Sequence, residues 1–196
     1  MGMSRATYER RFRELFAEAI NLVDGEVNEW RKRKIEVRKN QVNADKFIYV
    51  VEWQGRALNA FALELRRDAS GYPYIVIHAD YRFEAIYQLH RIPYKKEMAL
   101  DAFRSLLLSF VEDTILAEAK RIALQEGFFA AIKSGDLFVP IGNYEFRLKY
   151  YKNDNVWRVR CDELKDCSWV RYECGDQHPL EFFPYLLRTL ALRYLL

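Results

Sequence analysis

The chain has 196 residues, 51% of them hydrophobic and 15% aromatic, with 31 basic and 28 acidic side chains for a formal net charge of +3. That length suffices for one domain with a sizeable core or for two small halves, and the apolar content excludes a disordered chain. A charge this small implies no nucleic-acid contact through the field of the whole molecule, so such a contact needs local clustering.

From Ser4 to about Lys32, apolar residues recur at helical spacing (Tyr8, Phe12, Leu15, Phe16, Ala19, Leu22, Val23). Ser4 is placed to cap this amphipathic helix, and Asp24-Gly25 predicts a break in it. Four short runs of strand character follow: KIEVRK, KFIYVVEW, RALNAFALELR and YPYIVIHADYRF. The turn chemistries NQVNAD, QG and DASG separate them, which predicts an antiparallel meander.

The pattern breaks at Ile92-Pro93, and Glu97 to Ala123 reads as a strongly apolar helix with Met98, Ala102, Leu106, Phe110 and Ile115 among its core residues. Gly127 bends or ends it, and a short helical turn through Ala131 is expected. A second strand set begins near Asp136: DLFVPI, NYEFRLKYY, NVWRVRC and CSWVRYEC, with KNDN as a hairpin turn. His178-Pro179 then opens a final helix, LEFFPYLLRTLALRYLL. The expected class is α+β, two antiparallel meanders packed with three main helices. They form one compact domain over 1–196 or two tightly packed halves, 1–93 and 94–196.

All three cysteines fall in CDELKDCSWVRYECGDQH, residues 161–178. The spacing of Cys161, Cys167, Cys174 and His178 is close to that of CCCH zinc fingers, whose four ligands must converge on one ion. Arg160, Trp169, Arg171 and Tyr172 beside them would suit stacking on bases. The competing reading is a strand over 167–174, since SWVRYEC alternates as a half-buried strand does. Seven strand steps would hold Cys167 and Cys174 roughly 23 Å apart and point them to opposite faces. The two readings exclude one another; the strand is preferred and zinc is the alternative. Three cysteines cannot pair completely. With no apolar signal core in MGMSRATYERRFRELF and no apolar run of membrane-span length, a cytoplasmic protein with reduced thiols is expected.

The QG and DASG turns predict two faces for the first meander. One is apolar: Ile48, Val50, Phe61, Leu63, Leu65, Ile75, Ile77 and Ala79, expected to meet the helix from Glu97. The other is mixed and carries Phe47, Tyr49, Val51 and Trp53, then Ala60, Ala62, Glu64 and Arg66, then Tyr74, Val76, His78, Asp80 and Arg82. His78 should lie opposite Ala62 and within reach of Glu64. With Asp80 it forms a candidate acid–base group for hydrolysis. The opposing expectation seats the first helix on this mixed face.

No phosphate loop, G-x-G-x-x-G, H-E-x-x-H or G-x-S-x-G motif is present. ELR at 64–66 is only a faint echo of a nuclease E-x-K element, and Glu112 and Asp113, adjacent on a helix, diverge into solvent. The densest charge is RKRKIEVRK, residues 31–39. Arg31, Lys32, Arg33, Lys34, Arg38 and Lys39 are candidate phosphate contacts. Structurally, the same cations suit a helix C-terminus running into an edge strand guarded by charge against aggregation. The final helix is apolar around more than one stripe, which predicts burial between the halves or a homodimer through residues 182–196. The leading functional reading is a non-catalytic binding or assembly module with nucleic acid as candidate partner. The alternative is a hydrolase using Glu64, His78 and Asp80.

Overall fold

The computed structural model describes residues 4–79, 83–87 and 96–195, with side chains for all of these except 83–87, 98 and 99. The predicted Asp80, Arg82, Leu196, the break at Ile92-Pro93 and the side chain of Met98 therefore lie outside the described residues. Among these residues three helices and two five-stranded antiparallel sheets form, so the α+β class with two meanders holds. The chain divides into two compact units, Met1–Leu107 and Leu108–Leu196.

The first unit begins as expected, with the Ser4 side chain accepting the Thr7 N–H at 3.3 Å. The helix it caps, α1 (Arg5–Lys32), runs straight through the predicted break at Asp24-Gly25. A glycine inside a helix costs about 1 kcal/mol against alanine, which tertiary packing easily overrides. Here Val23, Val27 and Trp30 continue the buried stripe on both sides of Gly25.

Five strands follow: β1 (Glu36–Asn43), β2 (Lys46–Trp53), β3 (Arg56–Arg67), β4 (Pro73–Ala79) and β5 (Phe83–Tyr87), paired in sequence order. Gln54 and Gly55 make a two-residue turn with φ of 51° and 72°, the mirror-image geometry that suits strand twist. The register then shifts, because Glu52 pairs with Ala57 but Val51 pairs with Asn59. Leu58 is the extra residue of a β-bulge.

That bulge corrects the predicted faces. A one-residue slip turns a whole strand over, so Phe47, Tyr49 and Val51 join Phe61, Leu63 and Ile77 on the apolar side. Ile48 and Val50 move to the mixed side. It is α1, rather than the second helix, that packs on the apolar side. Trp30 meets Phe61 edge-on at 6.2 Å, Phe16 meets Phe47 at 6.2 Å, and the Tyr49 hydroxyl donates to Asp24 at 2.9 Å. Tyr49 and Phe61 stack at 4.9 Å beneath it.

The helix α2 (Lys96–Gln125) crosses the division between the units. Its buried residues include Phe103, Leu107, Val111, Ile115, Ala119 and Ile122, while Ala102 and Leu106 are only half-buried. The helix is apolar on nearly every side, so its pattern did not single out a face. It ends in a Schellman motif: Phe128 N–H reaches Ala123 O at 2.9 Å and Gly127 N–H reaches Leu124 O at 3.2 Å, with Gly127 at φ 88°. Beyond it the expected helical turn is replaced by a short strand, since Ser134 and Gly135 at positive φ fold Ala131–Lys133 back as a hairpin.

The second sheet contains β6 (Ala131–Lys133), β7 (Asp136–Ile141), β8 (Tyr144–Tyr151), β9 (Val156–Cys161) and β10 (Val170–Glu173), again in sequence order. One face is dry. Leu137, Val139, Leu148, Tyr150, Trp157 and Val159 are all buried there. Helix α3 (Pro179–Tyr194) seals it, with Phe183 against Trp157 at 4.9 Å and the Trp157 indole N–H donating to Pro179 O at 3.1 Å. Among the described residues no helix is long and apolar enough to cross a membrane.

Candidate functional site

Four places carry chemistry, and the sequence singled out the first three. On the mixed face of the first sheet, Ala62 lies opposite His78 as predicted, and Glu64 is near. His78 Nε2 stands 3.5 Å from Glu64 Oε2, but Arg66 Nη2 lies closer, at 3.2 Å from the same nitrogen, and Arg66 Nε donates to Glu64 Oε2 at 2.9 Å. A guanidinium donates and cannot accept, so His78 Nε2 must offer its lone pair to Arg66. The nitrogen that would act as base is already engaged. The group is half-exposed, and α1 lies on the opposite side of the sheet, so it does not cover this face.

The basic run does not form one patch. Arg31 donates to Asn28 and to Val37 O at 2.9 Å each, and Lys32 pairs with Glu29 in the last turn of α1. Arg38 and Lys39, successive residues of β1, point to opposite faces: Arg38 pairs with Glu52 at 2.8 Å and Lys39 with Asp24 at 2.8 Å. Only Arg31 to Lys34 stay together, at the end of α1.

In the cysteine window, Cys161 ends β9 and Cys174 follows β10, both buried, while Cys167 is exposed in the loop between. The predicted strand over 167–174 shortens to Val170–Glu173 because the loop holds itself, with Asp166 accepting the Ser168 N–H at 3.1 Å. Cys161 donates to Glu163 at 2.9 Å, and burial followed by that bond raises its thiol pKa. Burial pushes Cys174 up to about 12. His178 caps α3, its Nδ1 accepting the Leu180 N–H at 3.0 Å. Each member of the proposed ligand set thus sits in its own place. Among the described residues no three His, Cys, Asp or Glu side chains are gathered to hold a metal. A cavity of about 310 Å³ does open here, lined by Cys161, Leu164, Tyr172, Leu190 and Tyr194 among others.

Glu112 also departs from expectation. It is half-buried and accepts the Lys152 N–H at 3.0 Å, so it fastens the β8–β9 turn, and burial raises its carboxyl pKa.

The fourth place is the outer face of the second sheet. Alternation puts Arg147, Lys149 and Tyr151 of β8 on it, with Arg158 and Arg160 of β9, Arg171 of β10 and Phe138 of β7. Arg147 lies directly opposite Arg160, and Arg158 lies between Lys149 and Arg171. Aromatic rings alternate with these cations. Arg158 stands 4.3 Å from Tyr151, Lys149 stands 5.5 Å from the same ring, and Arg147 stands 5.4 Å from Phe138 and 5.7 Å from Trp169. Carboxylates border the face: Asp136 holds Arg147 at 2.8 Å, Asp162 holds Arg160 at 2.7 Å, and Asp154 stands 4.0 Å from Arg158. Arg160, Trp169 and Arg171, which flank the cysteines in sequence, belong to this face or its border, but Tyr172 turns to the other face, opposite Trp157. The signal was present in FRLKY and WRVRC, with a cation at every second position in two successive strands.

Compared with known protein families, curated proteins and solved structures, the chain matches none.

His178 generates a pH prediction. Burial lowers its pKa from 6.5 to about 4, so the folded ring stays neutral while the unfolded one protonates. Its contribution is complete above pH 6.5 and is lost as pH falls toward about 4, up to about 3 kcal/mol in all. Urea unfolding at pH 7.0, 5.5 and 4.5 should show wild type losing this amount relative to His178→Asn, which keeps a capping oxygen without the titration. Parallel pH dependences would refute it.

Proposed function

We propose that this chain is a non-catalytic binding module whose partner is nucleic acid, working in a reducing, cytoplasmic setting where its three free thiols persist. The observation that supports binding over catalysis is the Arg66–His78 contact at 3.2 Å, which occupies the candidate base. Arg31, Lys32, Arg33 and Lys34 contribute phosphate contacts from the end of α1. Exposed ion pairs such as Lys32–Glu29 hold their partners by about 1 kcal/mol or less, so a phosphate can compete for them. If so, changing all four to alanine should weaken binding of a labelled oligonucleotide severalfold at 50 mM salt and flatten its salt dependence. Unaltered binding would remove this segment from the interface.

A second reading, hydrolysis on the mixed face, has the 3.5 Å approach of His78 to Glu64 in its favour. It requires turnover of bis(p-nitrophenyl) phosphate or p-nitrophenyl acetate that disappears in both His78→Ala and Glu64→Ala with thermal stability retained. The binding reading expects no turnover in wild type and a stability loss of about 0.5–1.5 kcal/mol in His78→Ala.

The assembly we propose is a homodimer through α3. Phe182, Phe183, Leu186, Leu187 and Leu190 are buried, while Tyr185, Leu192 and Leu195 remain 61%, 68% and 58% exposed. At spacings of seven and three residues these three share one stripe with Arg188, suited to a twofold helix pair. Light scattering should return twice the chain mass, and Leu192→Glu with Leu195→Glu should halve it while leaving the fold intact. A wild-type monomer at high micromolar concentration would refute the dimer.

A further inference from the structure

On the outer face of β6–β10, cations stand directly opposite cations: Arg147 faces Arg160, and Lys149 faces Arg158, which faces Arg171. Like charges in directly opposed cross-strand positions destabilise a sheet, and a merely solvated face has no need of them. The bordering carboxylates answer part of this charge. Asp154, however, reaches Arg158 and Arg171 only at 4.0 and 3.9 Å, and Glu173 reaches Arg171 at 3.9 Å. The Nε atoms of Arg147 and Arg158 are buried with no hydrogen-bond partner among the described residues.

Flat rings lie between the charges. Tyr151 is shared by Lys149 and Arg158, and Trp169 leans over Arg147 from the loop before β10. Both side chains are half-exposed. Five strands at about 4.8 Å spacing make the face roughly 19 Å wide. A surface of this kind offers separate contacts to a charged backbone and to planar apolar groups.

We infer that this face seats a single-stranded polynucleotide, with unpaired bases stacked on Tyr151 and Trp169 and phosphates held by Arg147, Lys149, Arg158 and Arg171. Charge complementarity selects a polyanion, and the rings select one whose bases are free. A duplex keeps its base faces inside, so it would meet the cations and leave the rings without a use. Stacking on aromatic platforms accepts any base, so binding is tolerant of sequence. Because carboxylates border the face, few phosphates are neutralised. Four contacts on a single strand predict a slope of roughly −3 in log affinity against log salt.

The inference rests on the binding-module reading but uses different residues, so the two can fail separately. The probe is a fluorescein-labelled twelve-residue oligothymidylate, followed by anisotropy with the full chain at 50 mM salt. Tyr151→Ala with Trp169→Ala should weaken binding roughly tenfold or more, within the range of base–aromatic stacking. Arg158→Gln with Arg171→Gln should weaken it severalfold and shallow the salt slope. Because the glutamine variant alters only half-exposed or exposed positions, it tests the face even if the aromatic variant unfolds. Unlabelled polyphosphate, matched for charge, should compete poorly. Retained binding in both sheet variants with loss in the Arg31–Lys34 alanine variant would overturn this face and leave the module reading standing. Equal competition by polyphosphate would overturn the stacking. Failure of wild type to bind single-stranded or duplex probes would overturn both readings.

Discussion

A residue on a strand has two directions available to its side chain, and in both sheets one of them is dry. This period-two constraint determines where everything else in the molecule goes. In the first unit it gathers Phe47, Tyr49, Phe61 and Leu63 under α1, whose own stripe of Phe16, Val23, Val27 and Trp30 is buried with them. Apolar packing of this kind is the main favourable contribution to folding. The Tyr49 hydroxyl cannot enter such a layer without a partner, and Asp24 supplies one from the helix. Asp24 in turn fixes Lys39, so a charge of the basic run is spent on holding β1 in place.

In the second unit the same constraint acts in reverse. Trp157, Tyr150 and Leu148 must face α3, so the residues between them, Arg158, Lys149 and Arg147, must face away. The cationic face is the complement of the core pattern, and a register slip would bury it. The hairpin at 152–155 guards against that. Asn155 is buried at φ 51°, accepts the Tyr150 hydroxyl at 3.0 Å and donates to Gly175 O at 3.0 Å. Glu112 holds the same turn through Lys152. Groups that looked like solvated surface in the sequence are the means by which the register is kept.

Much of the architecture was legible in the residues. The Ser4 cap, the KNDN hairpin, the end of the second helix near Gly127 and the His178-Pro179 start of α3 each depend on local chemistry within a few positions. What escaped depended on tertiary context. The bulge at Leu58 has no local signal, yet it exchanges the two faces of β2. Helix α2 is apolar on too many sides to reveal its buried stripe, and Gly25 resembles a break until Val23, Val27 and Trp30 are seen packed around it. Of the candidate sites, the His78–Glu64 approach was readable from strand pairing, whereas the intervention of Arg66 required side-chain positions.

Every strand in both sheets pairs with its neighbour in sequence. Chains dominated by such local pairings close short loops at little entropic cost and cross their folding barriers quickly for their β content. Each meander can therefore zip outward from its own two-residue hairpins, Gln54-Gly55 in one unit and Ser134-Gly135 in the other, without waiting for a distant strand. The exception is the closing contact of Phe183 on Trp157, which joins α3 to a strand already formed. During synthesis the N-terminal sheet emerges and pairs first, while Trp157 of the second sheet waits for Phe183 until the last helix arrives. That interval is when the chain most needs its turns to hold.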